Sequence, residues 1–152
     1  MTLRIKDIPD HHDAEIVMRL YELRREAVMR ESRAAISREF WPTTLEEALA
    51  PTAMAHPLNA AWRQVTSYWE MAYGMVKGGV LHGDFLLETG GGEGFFVLAK
   101  VKPFLTEMRA RGMPRTLHNT EWMAGHSEFA QGAFARFEKS VAATLAARAA
   151  KQ

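Results

Sequence analysis

The chain contains no cysteine. This absence excludes disulfide frameworks, cysteine-ligated zinc, iron–sulfur clusters and catalysis by a thiol. The sequence also lacks an uncharged apolar run of about 18 residues, the length at which a segment begins to span a bilayer. Residues 1–15 lack the apolar core of a signal peptide. We therefore expect a cytoplasmic protein with no membrane span.

An excess of charge of one sign is also missing, because Lys and Arg together number 19 while Asp and Glu number 18. Nucleic acid is therefore not an expected partner. Hydrophobic residues make up 47% of the 152 residues and charged residues 24%, values of an ordinary globular protein that exclude a disordered chain. We expect one helical domain over residues 1–152, with frayed ends at 1–9 and 148–152.

Helical periodicity recurs along the chain, and strand-like alternation is not found. The pattern predicts an all-α fold, an irregular bundle of about four long helices with one or two short helices. Pro103 is predicted to interrupt the third long helix, because proline removes a backbone donor. The four long helices are predicted at 10–39, 58–77, 95–111 and 119–146.

The second long helix has a broad apolar face and is predicted to lie at the centre of the bundle. Trp62 and Trp69 belong to the inward face. Arg63, Glu70 and Lys77 recur at heptad spacing and form a polar stripe. Because exposed ion pairs contribute only about 0–1 kcal/mol, we expect Glu70 to be dispensable to stability.

Six histidines are present, but a helical metal site needs ligands spaced i,i+3 or i,i+4, and no such His–His or Glu–His pattern occurs. The sequences His-x-x-x-His, His-Glu-x-x-His and Glu-x-x-His, in particular, do not occur. We predict no metal site and no cofactor. His126 stands alone on an apolar face and is interpreted as a core residue. The Gly-x-Ser-x-Gly elbow of serine hydrolases is also missing. We assign no residue as catalytic, and an enzyme is less expected than a non-enzymatic protein.

A glycine-rich segment, Gly90–Gly94, precedes the third long helix, and helix N-termini bind anions. It lacks the Gly-Lys-Ser/Thr end of a phosphate loop, and Glu93 places a negative charge there. Residues 100–115 hold five basic residues and one acidic residue. Asp84 is predicted to cap a short helix before the loop. The candidate anion-binding residues are Gly91, Gly92, Lys100, Lys102, Arg109 and Arg111.

Four short motifs fall within about residues 60–112: Tyr68-Trp69-Glu70, Gly79-Val80-Leu81-His82-Gly83-Asp84, Lys102-Pro103-Phe104, and Arg109. In this arrangement the chain resembles an uncharacterised bacterial family of small helical proteins, a domain of unknown function. Some members begin with a membrane helix, and this chain departs from that pattern. The resemblance implies a helical fold and no activity. Whether Glu70, Asp84 and Arg109 serve structure or function is left open.

Two functions are compatible with these observations. The first is a non-enzymatic interaction protein that self-associates as a homodimer. It is favoured by the abundance of Trp, Phe and Met, which are common at interfaces, and by a ridge of small residues at Ser67, Gly74 and Gly78. The alternative is a protein that binds a small anion or nucleotide through the Gly90–Gly94 loop and the nearby basic residues.

Overall fold

The computed structural model describes residues 5–152. Within this range the regular secondary structure consists of nine α-helices and two 3₁₀ turns, at Ala50–Thr52 and Lys102–Phe104, which confirms the predicted all-α class. The helices are α1 (His11–Arg25), α2 (Ala27–Glu39), α3 (Leu45–Leu49), α4 (Asn59–Lys77), α5 (Gly83–Glu88), α6 (Glu93–Val101), α7 (Leu105–Ala110), α8 (His118–Ala124) and α9 (Glu128–Ala149).

Helix α4 is the centre of the structure and packs against α2, α6 and α8. Its predicted inward face is confirmed, because Trp62 and Trp69 are both buried. Trp69 stacks on Tyr73 with ring centroids 5.4 Å apart, and Tyr73 lies 5.6 Å from Phe95 of α6. Phe95 in turn meets the edge of Phe134 of α9 at 5.9 Å. This row of aromatic rings connects three helices through the core.

The predicted helix at 10–39 is wrong in its continuity, because it breaks at Glu26, whose ψ of 144° is extended. Leu20 and Met29 are both buried. In an unbroken helix these residues would point in roughly opposite directions, at about 100° per residue. The break lets Leu20 of α1 and Met29 of α2 face the same core.

The start of α1 is fixed by a buried carboxylate. Asp10 and Asp13 form a reciprocal capping box at the helix N-terminus. Asp13 is fully buried and also accepts hydrogen bonds from Lys6 Nζ at 2.8 Å and from the backbone N–H of His82 at 2.8 Å. The cap therefore ties α1 to the segment that opens α5.

The third predicted helix is interrupted at Pro103 as expected, since a 3₁₀ turn separates α6 from α7. Helix α6 begins at Glu93 rather than at Phe95, so Gly94 is helical. A Cβ at Gly94 would lie 2.5 Å from Cε2 of Tyr73. Glycine is needed here because α6 approaches α4 closely.

The fourth predicted helix, at 119–146, is divided into α8 and α9 at Gly125–Ser127. Ser127 caps α9 by accepting a hydrogen bond from the N–H of Ala130 at 3.0 Å. Leu117 occupies the N-cap position of α8 with a positive φ of 50°.

The two ends of the described range differ in secondary structure. Helix α9 continues to Ala149 and so includes residues 148 and 149. Residues 5–9 form no helix. Residues 1–4 lie outside the described range. No helix among residues 5–152 combines the length and apolarity needed to cross a membrane.

We expect the substitution Trp69→Ala to lower the free energy of unfolding by about 3–5 kcal/mol, the usual cost of deleting a large buried aromatic side chain. Trp69 is only 2% exposed and contacts rings on both sides. Urea unfolding followed by circular dichroism measures the change. Met54→Ala is the control, because Met54 is 87% exposed. A loss below about 0.5 kcal/mol for Trp69→Ala would contradict its role in the core.

Candidate functional site

A cavity of about 440 Å³ lies between α1, α2, α6 and α9, beside the glycine-rich loop. We call it the arginine pocket, because three of its lining residues are arginines. Most of the remaining wall is apolar and aromatic. Its lining residues are Arg24, Arg33, Leu87, Gly90, Gly92, Glu93, Phe96, Phe129, Ala133, Arg136 and Phe137.

Glycines shape the loop at the edge of this pocket. Gly90 has a positive φ of 97°, which L side chains rarely adopt. Gly91 is buried, and a Cβ there would lie 2.5 Å from Cγ of Leu86. The carbonyl of Gly91 accepts a hydrogen bond from Tyr73 Oη at 2.7 Å. Of the two predicted ligand-binding glycines, only Gly92 lines the pocket, while Gly91 anchors the loop to the core.

Glu93 does not present a free negative charge to the pocket. Its two carboxylate oxygens accept hydrogen bonds from Arg33 Nε at 2.9 and 2.7 Å, and Arg33 Nη2 lies 2.7 Å from Oε2. Trp69 Nε1 donates a further bond to Oε1 at 3.2 Å. The carboxylate raises the pKa of the Arg33 guanidinium. Arg33 therefore joins α2 to α6 through Glu93.

Arg24 is held rigidly at the mouth of the pocket. Its Nη1 donates to the carbonyl of Gly90 at 2.8 Å, and its guanidinium lies 5.5 Å from the ring centroid of Trp69. The Nε atom is buried without a hydrogen-bond acceptor among the described residues. Arg136, from α9, is exposed and forms no hydrogen bond or ion pair within residues 5–152. Neither guanidinium is matched by a carboxylate in the described chain.

The predicted basic cluster at 100–115 does not form a common site. Lys102 pairs with Glu138 at 3.3 Å. Arg109 donates to the carbonyl of Thr116 and pairs with Glu121 at 3.0 Å. Arg111 pairs with Glu46 at 3.3 Å. None of the four predicted side chains lines the arginine pocket. Lys102, Arg109 and Arg111 each form an ion pair with a glutamate instead.

Lys100 differs from the other bases because it is only 2% exposed. Its Nζ donates to the carbonyl of Ile36 at 2.9 Å and lies 3.9 Å from the ring centroid of Trp41 and 4.2 Å from that of Phe96. Burial, with a smaller contribution from the charge of Arg148, lowers the pKa of Lys100 to about 7. Lys100 is therefore a buried residue and does not present its charge to an anion at the surface.

Glu70 of α4 caps the N-terminus of α8. Its carboxylate accepts hydrogen bonds from the N–H of Asn119 at 3.0 Å, from the N–H of Thr120 at 2.8 Å, and from Thr120 Oγ1 at 2.7 Å. The expected solvated stripe with Arg63 and Lys77 is therefore wrong, because the first turn of α8 covers Glu70. Gly74 of the small-residue ridge also faces Asn119, since a Cβ at Gly74 would lie 3.0 Å from Nδ2 of Asn119.

Asp84 is not the cap of α5, contrary to the prediction, because His82 takes that role through a 3.0 Å bond from the N–H of Phe85 to Nδ1. Asp84 accepts instead from Ser127 Oγ at 2.6 Å. His126 lies nearby and is half-buried, which lowers its pKa. Its Nδ1 is buried without a described partner. Among residues 5–152, no group of three His, Asp or Glu side chains is arranged to hold a metal.

A second, apolar depression of about 850 Å³ separates α1 from α4. We call it the α1–α4 groove. Met18, Leu23 and Met71 are 59%, 45% and 49% exposed in its wall. A smaller depression of about 310 Å³ shares Leu23 and Met71 and extends the groove. The groove is lined by Ala14, Glu15, Ile16, Met18, Arg19, Leu20, Glu22, Leu23, Met71 and Met75.

Comparison with known proteins identifies the family. Residues 9–127 match the family model described as "Domain of unknown function (DUF4760)". Because the match covers more than half of the chain, the chain belongs to this family, which confirms the resemblance to an uncharacterised family. No curated protein and no solved structure matches the chain significantly. The match ends at the cap of α9, so α9 and its pocket residue Arg136 lie outside it.

The buried lysine predicts a pH-dependent stability. The pKa of Lys100 is about 7 in the folded chain against an ordinary value of 10.5, so the unfolded chain binds more protons between these values. Stability from this group therefore rises as pH increases through that window. The variant Lys100→Met removes this pH dependence because methionine does not titrate. The Ile36 carbonyl, which loses the lysine donor, still accepts a hydrogen bond from the N–H of Phe40.

Urea unfolding at about pH 7 and about pH 9.5 checks this prediction. Relative to Lys100→Met, the wild-type protein becomes more stable at the higher pH. Lys139→Met, at an exposed position of α9, is the control and follows the wild-type protein. Parallel pH profiles of the wild-type protein and Lys100→Met would show that Lys100 is not perturbed.

The cap geometry predicts that Glu70→Gln destabilises the protein by about 1–3 kcal/mol, the range for losing hydrogen bonds to a charged group. Glutamine keeps one acceptor oxygen and places an NH₂ donor against the N–H groups of α8. Thermal or urea unfolding measures the loss. Glu107→Gln, an exposed carboxylate on α7, is the control. Stability within about 0.5 kcal/mol of the wild-type protein would refute the capping role.

Proposed function

We propose that this chain is an interaction protein that self-associates as a homodimer through the α1–α4 groove. The observation that carries the proposal is the exposure of Met18, Leu23 and Met71 in one concave surface. Scattered apolar residues are normal on a protein surface, whereas apolar residues gathered in a groove are typical of binding surfaces. Methionine is also enriched at interface cores, because its flexible side chain adapts to a partner.

The groove follows from how α1 is attached to α4. Tyr68 Oη of α4 donates to the carbonyl of Leu20 at 2.6 Å. At this contact α1 and α4 are separated by the length of a tyrosine side chain and do not pack closely against each other. The next turn of α4, with Met71 and Met75, therefore lines an open cleft. An additional helix can fill this cleft in the helix-in-groove mode.

The charges of α1 favour a second copy of the same chain as the occupant. A two-fold interface must be self-complementary. Two α1 helices can pair antiparallel with Arg19 opposite the partner's Glu22. In that register Met18 lies opposite the partner's Leu23, because both pairs are centred between residues 20 and 21. In this register the charged pairs lie nearest the two-fold axis and the apolar pairs flank them, so opposite charges and apolar side chains are both matched.

Sedimentation over a tenfold range of protein concentration tests the proposal. We expect the wild-type protein to sediment at twice its chain mass of 17.1 kDa. Met18→Glu should shift it to a monomer, because a buried charge without a partner is strongly unfavourable in an interface. Met54→Glu is the matched control, since Met54 is an exposed methionine outside the groove, and this variant should remain dimeric.

Two outcomes would contradict the proposed function. One is a single species near 17.1 kDa at all concentrations of the wild-type protein. The other is a dimer that persists in Met18→Glu, which would place the interface elsewhere. Circular dichroism of both variants confirms that the folded state is retained, because both positions are exposed to solvent.

A further inference from the structure

The arginine pocket combines two features that suit a small organic anion. One is the pair of guanidinium groups of Arg24 and Arg136, which no described carboxylate neutralises. The other is an apolar wall that includes Phe96, Phe129 and Phe137. Pockets for small molecules are typically concave and mostly apolar, with a few polar groups that fix the orientation of the ligand.

The electrostatics of the pocket favour an anion. The negative charge of Glu93 is engaged by Arg33 at 2.7 Å and by Trp69 Nε1 at 3.2 Å. Arg24 is fixed by the Gly90 carbonyl and by the face of Trp69, so its position is set before a ligand enters. Arg136 forms no hydrogen bond or ion pair within residues 5–152, so its guanidinium donors can bind a ligand. Guanidinium groups bind carboxylates and phosphates through charge-assisted hydrogen bonds.

The size and the wall of the pocket define the rest of the ligand. A volume of about 440 Å³ exceeds the space that a bare oxyanion needs and admits a ring or short apolar group. Phe129 is 40% exposed at this surface, which is a large exposure for a phenylalanine. An aromatic ring bound there would bury it.

We propose that the arginine pocket is a binding site for a small organic anion, a phosphate or carboxylate group carried on an apolar ring. Arg136 and Arg24 bind the anionic group, and Phe129 and Phe137 contact the ring. Relative to the anion site expected from the sequence, this site uses arginines of α1 and α9 in place of the bases at 100–115. It is independent of self-association, because its lining residues differ from those of the α1–α4 groove.

Titration of the ¹⁵N-labelled full chain with phenyl phosphate, benzoate and inorganic phosphate tests the proposal. We expect saturable shifts of the backbone amides of Gly92 and Ala133, which line the pocket, with at least one of the two aromatic anions. The comparison of phenyl phosphate with benzoate identifies the preferred anionic group. Inorganic phosphate should bind more weakly by about tenfold or more, because it makes no contact with the aromatic wall.

Three variants assign the two halves of the site. Arg136→Gln should weaken binding of the aromatic anion by about tenfold or more, through loss of a charge-assisted bond. Phe129→Ala should weaken binding of the aromatic anion but not that of inorganic phosphate. Arg38→Gln is the matched control, because Arg38 is an exposed arginine outside the pocket, and it should leave binding unchanged.

The proposal is overturned if neither aromatic anion shifts the amides of Gly92 and Ala133. It is also overturned if inorganic phosphate binds as tightly as the aromatic anions, or if Arg38→Gln weakens binding as much as Arg136→Gln. Because Arg136 and Phe129 lie at the surface, their variants should retain the fold, and the spectrum of the unliganded variant shows whether they do.

Discussion

The close approach of α6 to α4 at Gly94 determines much of the remaining structure. Without a side chain at Gly94, the ring of Tyr73 packs against the α6 backbone, where any Cβ would collide with it. The approach lets Tyr73 reach the Gly91 carbonyl and lets Trp69 reach Glu93. Through Arg33, Glu93 then joins α2 to α6. The aromatic core, the loop and the polar contacts at the pocket therefore share one origin.

The sequence predicted the helical class, the central helix and the interruption at Pro103, because these depend on local periodicity and on proline chemistry. Trp69 could be placed inside from its helical face alone. The breaks at Glu26 and at Gly125–Ser127 were missed. At Glu26 the side chain gives no local signal, and the break is required only because Leu20 and Met29 reach a common core. Serine is a common N-cap residue, but the apolar pattern around Ser127 also fits one continuous helix, so the cap could not be recognised from the pattern alone.

The candidate site was predicted less well than the fold. The glycine-rich loop was recognised from composition, but its arginine neighbours come from α1, α2 and α9, far away in sequence. The basic residues that follow the loop in sequence do not reach the pocket. Three of them form ion pairs with Glu46, Glu121 and Glu138. The fourth, Lys100, is buried. Glu70 shows the same limitation, since its partners at 119 and 120 belong to a distant helix. Charge patterns along one helix do not reveal partners supplied by another.

The break at Glu26 also has an evolutionary consequence. Since α1 and α2 do not share one continuous helical register, a residue inserted or deleted before Glu26 rotates the surface of α1 by about 100° but leaves the face of α2 unchanged. The same change inside α2 would turn Met29 and Ile36 out of the core. A change of length within α1 would still move Leu20 or Asp13, which are buried, so the exposed residues of the groove are the part of α1 that can vary without loss of core contacts. New partners can therefore be acquired through these exposed side chains, while the buried residues of the same helix hold it to the core.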